Sequence, residues 1–89
     1  MPLRDFLVQL VTRHQPSWRL SYPTVSRGAD MLELRGTLPQ MFHFGSARLT
    51  LSTGVLVFVD EDHRDCHDEE EGRVTLDADV LATVRSLLG

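Results

Sequence analysis

The stretch DEDHRDCHDEEEG, Asp60 to Gly72, sets eight carboxylates beside His63, His67 and Cys66, the single cysteine of the chain. These are metal-ligating residue types, and their spacing can be tested against known patterns. Asp60, Asp62, Asp68 and Glu71 fall at positions 1, 3, 9 and 12 of a calcium-binding EF-hand loop, but Arg64 stands at the acidic fifth position and Asp65 at the glycine. A strand, not a helix, leads in. His63, Cys66 and His67 supply three zinc donors within five residues, whereas closed structural zinc sites join two separated ligand clusters. Only His14 and His43 remain to complete such a site, and no spacing brings either of them near.

A catalytic reading needs a nucleophile, a base and an orienting group in a sheltered cleft. Cys66 is the only thiol, and its acidic neighbours are the wrong surroundings for a thiolate. His43 lies between Phe42 and Phe44 on an expected strand, so its side chain points away from theirs, toward solvent or an interface. No glycine-rich phosphate loop, HExxH or GxSxG motif is present. The expectation is a protein that is not an enzyme, with no catalytic residue, no cofactor and no metal. Residues 60–72 then read as a solvated, partly disordered acidic loop between two strands, because like charges repel and prefer water. Such a loop can contact a basic partner or discourage edge-to-edge strand pairing. Its charge disfavours phosphate.

The elements around it follow from periodicity. Leu3, Phe6, Leu7, Leu10 and Val11 keep the spacing of an amphipathic helix that ends before Pro16, and Pro2 suits its first turn. Trp18, Leu20 and Tyr22 alternate with polar residues as a half-buried strand stopped by Pro23, with Trp18 and Tyr22 in the core or at its rim. Arg27 to Asp30 is a turn, Met31 to Gly36 a second strand, and Leu38 to Gln40 a connector. In MFHFGSARLTLS the apolar alternation of Phe42 and Phe44 restarts out of phase at Ala47, Leu49 and Leu51, which predicts a bulge or tight turn at Gly45 and Ser46. Ser52 to Gly54 is a turn, Val55 to Val59 a central strand, and Arg73 to Leu76 a short one. Asp77 is a good N-cap for a last helix with Val80, Leu81, Val84, Leu87 and Leu88 as its stripe and Gly89 as its stop. The sum is an α+β domain: an N-terminal helix, an antiparallel meander of about five strands, and a C-terminal helix packed on the sheet.

Length and composition agree. Residues 1–89 make one domain, near the lower size at which one hydrophobic core suffices, with 42% hydrophobic and 25% charged residues. Nothing approaches a membrane span or a signal peptide, so an intracellular, cytoplasmic protein with no membrane contact is expected. The net charge is −4; residues 60–71 contribute −7 (eight acids less Arg64), leaving +3 elsewhere. That excess is spread singly from Arg4 to Arg85, so no basic patch for nucleic acid is visible. All nine basic residues are arginine, and lysine, isoleucine and asparagine are absent, as a GC-rich genome would produce.

The segment FHFGSARLTLSTGVLVFVDEDHRD resembles the centre of a polo box. There an aromatic strand ends in a turn and is followed by an (S/T)-(R/K)-L-x-L strand, a second turn, and an apolar strand running into acids. The corresponding pieces are Phe42 to Phe44, Gly45 and Ser46, Arg48 to Leu51, and Val55 to Asp60 running into Glu61 and Asp62, with Ala47 in the place of the hydroxyl residue. The resemblance implies a non-catalytic protein–protein interaction module, a twisted sheet packed on a helix, of the kind attached to mitotic or centriolar kinases and scaffolds near the centrosome and cytoskeleton. Paired polo boxes hold phosphopeptides with a histidine and a lysine, and without lysine that pincer does not carry over. A lone polo box forms a homodimer or takes a partner helix or extended peptide, the mode implied here. The expected partner contacts are Trp18, Tyr22, His43, Arg48, Asp68, Glu69, Glu70 and Glu71. A second segment, LELRGTLP, is similar to the second strand of ubiquitin E2-variant and RWD-type binding domains. A small acidic chaperone or antitoxin-like binding protein, or a zinc domain using His63, Cys66 and His67, are the alternatives.

Overall fold

Five apolar positions at helical spacing become α1, Leu3–His14, in a computed structural model that describes residues 1–89. Pro2 sits at its N-cap and accepts the first hydrogen bond from Phe6 N–H at 3.1 Å; Asp5 lies in the first turn and Arg13 and His14 in the last, matching the helix dipole. Five strands follow: β1 (Ser21–Arg27), β2 (Met31–Thr37), β3 (His43–Thr50), β4 (Val55–Asp62) and β5 (His67–Thr75). Each pairs antiparallel with the next, giving one sheet in the order β1-β2-β3-β4-β5. The chain ends in α2, Ala78–Leu88. Asp77 holds its N-cap position with no side-chain cap, and α2 opens on the hydrogen bond from Leu81 N–H to the Asp77 carbonyl.

Period-two alternation decides which side chains meet the helices. The register aligns Leu32, Leu49 and Leu56 in one row across the sheet and Leu34, Ala47 and Phe58 in the next, all buried. Leu7, Leu10 and Val11 of α1 and Val84 of α2 close over these rows. Burying each such aliphatic or aromatic side chain stabilises the fold by about 1.5–3 kcal/mol. Both helices therefore lie on one face, and the other face of the sheet is open. Neither helix is long and apolar enough to cross a membrane.

One row further along, two glycines face each other: Gly36 of β2 pairs with Gly45 of β3. Trp18 and Leu20, in the extended segment after α1, press onto this bare backbone. A Cβ on Gly45 would lie 2.8 Å from Leu20 and 3.0 Å from the Trp18 ring, and one on Gly36 would lie 2.9 Å from the Ser21 carbonyl oxygen. The Trp18 ring meets Phe58 edge-on, with centroids 5.8 Å apart. The apparent phase break at Gly45 and Ser46 is thus not a bulge or a turn. β3 runs straight through it, with Phe44 on the open face and Gly45 on the core face, where the tryptophan fills the missing side chain's place.

Three other expectations change. Strand β1 begins at Ser21 instead of Trp18 and runs past Pro23 to Arg27, because on an edge strand the missing proline N–H faces no neighbour. Its register shifts between Ser21 and Thr24. The largest change is at residues 60–72, which are not a disordered loop: β4 continues to Asp62 and β5 starts at His67, leaving the turn 63–66. Strand β5 is thereby much longer than the Arg73 to Leu76 segment expected. Its register shifts between Phe58 and Val59, where Glu71 is the extra residue between Gly72 and Glu70.

The glycine contact predicts that Gly36→Ala loses about 1–3 kcal/mol in urea unfolding, since the Ser21 backbone cannot yield as a side-chain tip can. Gly28→Ala, whose Cβ would meet nothing nearer than 3.9 Å, is the matched control. Equal stability of the two variants would mean that Leu20 and Ser21 are not seated on Gly36.

Candidate functional site

Strand β4 distributes its acids to both faces of the sheet. Asp60 and Asp62 keep the parity of Leu56 and Phe58, on the helix side, whereas Glu61 follows Val57 and Val59 onto the open face. On β4 the cluster packed under the helices takes in Leu56 and Phe58 and stops there, so Asp60 and Asp62 lie past the apolar core at the far end of the sheet. The Asp60 and Asp62 side chains at these core-facing positions are only 19% and 16% exposed, so their desolvation has to be offset by hydrogen bonds and by His43.

On the helix side at that end, His43 stands across from Asp60 and Asp62. Its Nδ1 lies 2.7 Å from Asp60 Oδ1 and its Nε2 lies 3.6 Å from Asp62 Oδ2. A carboxylate only accepts, so Nδ1 carries the hydrogen and donates. This hydrogen bond raises the His43 pKa; desolvation and Arg64 oppose it, and the charges of Asp60 and Asp62 reinforce it. For Asp62, desolvation pushes upward but is outweighed by the backbone N–H groups of Asp65 and Arg64 and by His43, which hold its carboxyl below the ordinary value.

The open face carries a second assembly. Arg35 donates through Nε and Nη2 to both oxygens of Glu61, at 3.2 and 3.3 Å, and its guanidinium lies 4.4 Å above the Phe44 ring. The His63 ring packs against Phe44 at a tilt of 56° with centroids 4.4 Å apart, and Arg35 Nη2 is 2.9 Å from His63 Nε2. Arginine only donates, so Nε2 accepts and the ring hydrogen sits on Nδ1. Beside this stack, Glu33 accepts from Arg48 Nε at 2.9 Å and from the fully buried Ser46 hydroxyl at 3.0 Å. No buried side-chain polar atom lacks a partner.

The residues expected to meet a partner do not form one patch. Trp18 is core, packed on Phe58, and presents no contact surface. Tyr22 is 88% exposed instead of lying at the core rim. His43 is half-buried in its carboxylate pair, and Arg48 is on the open face, bound to Glu33. Asp68, Glu69, Glu70 and Glu71 line the exposed edge strand β5, where their charge guards an unpaired row of backbone groups. Glu70 is engaged by Arg73 at 2.8 Å. His63, Cys66 and His67 do not converge, and no group of three or more His, Cys, Asp or Glu side chains is placed to grip a metal ion. The Cys66 sulfur meets only the His63 carbonyl, at 4.0 Å.

Sequence reasoning missed Met41 and Phe42. They are 77% and 52% exposed in the β2–β3 connection, and Phe42 has a φ of 66°. Tyr22 has a φ of 52° and Cys66 one of 52°, and these three are the only non-glycine residues in left-handed backbone. All three lie at one end of the sheet, where β1, β3 and β5 begin and β2 and β4 end. Their one sequence signal was the placing of two large apolar residues directly after Pro39 and Gln40, in a turn with no partner strand.

The folded His43 pKa is above the ordinary value of 6.5, so its contribution to stability is complete below that pH and is lost as pH rises through the folded value. Asp62 is below its ordinary 3.8, so its contribution exists above that pH and is lost as pH falls through the folded value. In melts between about pH 5.5 and 8.5, the wild type loses stability that His43→Gln never had, and their curves converge at the alkaline end. The gap is small because the ring is a quarter exposed and its pairing is screened. Parallel curves would contradict the pairing. Comparison of the chain with known protein families, with curated proteins and with solved structures gives no match.

Proposed function

We propose that this protein is a non-catalytic protein–protein interaction module of polo-box-like layout, which presents one end of its sheet to a partner helix or extended peptide. The observation that carries this reading is the set of large apolar side chains held in water at that end. A bulky residue at positive φ costs on the order of 1–3 kcal/mol, and Tyr22 and Phe42 bear this cost without returning it as core burial. Met41 stands beside them. Exposed aromatic anchors near a polar rim are the groups that carry binding energy in protein interfaces.

The helix–meander–helix layout agrees with the module implied by the polo-box resemblance, which would set it on an intracellular kinase or scaffold at the centrosome or cytoskeleton. A lone module of this kind self-associates. His43 and His63 are each engaged in local pairing.

The test joins stability to binding. Tyr22→Gly with Phe42→Gly keeps the melt within about 1 kcal/mol of the wild type, because glycine relieves the left-handed backbone and no core is lost. Trp18→Ala, by comparison, loses about 3–5 kcal/mol. A protein or peptide held by the wild type and released by the equally stable double variant supports the reading. Unchanged binding by the double variant contradicts it, as does a double variant destabilised as much as Trp18→Ala.

A further inference from the structure

The aromatic loop and the β4–β5 hairpin are physically joined: His63 N–H donates to the Phe42 carbonyl at 2.9 Å. Beside that junction lies a cleft of about 280 Å³ lined by Glu61, Asp62, His63, Cys66 and Asp68. Apolar anchors and carboxylates are therefore neighbours on one surface. Resting on the interaction-module reading above, we propose that this surface binds a basic extended peptide, with an apolar side chain on Phe42 and Met41 and an arginine or lysine in the adjoining cleft.

Charge complementarity selects this occupant. Glu61 is already shared by Arg35, and Asp62 is taken by backbone N–H groups and His43, but Asp68 and Asp65 have no ion pair. Residues 60–71 carry eight acids against the single Arg64, so the potential around the cleft is negative. A phosphopeptide or nucleic acid would be repelled there. A second copy would bring its own acidic hairpin against this one. The neighbouring β5 edge adds unpaired backbone groups along which an extended basic chain can run, with its cations over Asp68 and Glu69.

The probe is a library of 12-residue peptides displayed on phage and selected on the full chain. The strongest binder is then synthesised, together with a copy in which every Arg and Lys is glutamine. The expected result is enrichment of Arg or Lys beside an aromatic or leucine, and loss of binding by tenfold or more in the glutamine copy. Asp68→Asn should weaken binding about two- to fivefold, as for loss of one exposed ion pair. Raising salt from about 0.1 to 0.5 M should weaken it further. A binder with no basic residue, insensitive to salt and to Asp68→Asn but lost in Phe42→Gly, overturns the basic-peptide assignment and leaves the module reading standing. Failure of every peptide to bind overturns the assignment as well. A wild-type dimer in light scattering that becomes monomer in Phe42→Gly also overturns it, by showing that a second copy covers the surface.

Discussion

The seat of Trp18 on the Gly36–Gly45 pair is the constraint on which the rest of the structure depends. Only two facing glycines let the chain leaving α1 lie directly on the sheet, and the ring that lands there closes the core against Phe58. Because residues 18–20 are held down at that point, the chain must swing outward within two residues to reach its place as edge strand β1. Tyr22 makes that swing in left-handed backbone, and its ring is left in water. The buried Trp18–Phe58 contact and the exposure of the chain's one tyrosine thus follow from one packing event.

The acidic segment obeys the same alternation. Eight acids within twelve residues suggest a segment that cannot fold, but strand geometry sends neighbours to opposite faces and halves the density on each. Asp60 and Asp62 find His43 on one side, and Glu61 finds Arg35 on the other. The β4–β5 register sets Asp60 opposite Glu69 and Glu61 opposite Asp68, like-charge pairs that cost stability, so the partners on each face are needed. What is left over, at Asp65, Asp68, Glu69 and Glu71, is exposed at the hairpin and along the edge of β5. The surplus negative charge is therefore placed beside Phe42 by the fold itself.

Much of this was legible in the chain. The helical stripes of α1 and α2, the alternation in β2 and the α+β order are carried by apolar spacing, which responds to burial on one face and survives any detail of packing. The errors have a common physical source. Gly45 broke the pattern because its partner in the core, Trp18, is far away in sequence, and no local window contains both. Residues 60–72 read as a loop because a count of charges ignores the face each one takes and the partner strand that receives it. Phe42 and Tyr22 were misjudged because hydrophobicity predicts burial, and their exposure is decided by backbone strain that no residue type announces.

In the proposed reading one end of the sheet, and neither the helices nor the open face, is the binding surface. Backbone amide chemical shifts recorded while a basic peptide bearing one aromatic anchor is added test this most directly. Shifts are expected at Tyr22, in residues 40–43 and in residues 61–69, with α1 and α2 unmoved. Shifts concentrated on the helices, or on Val57, Val59 and Arg48 of the open face, would contradict it.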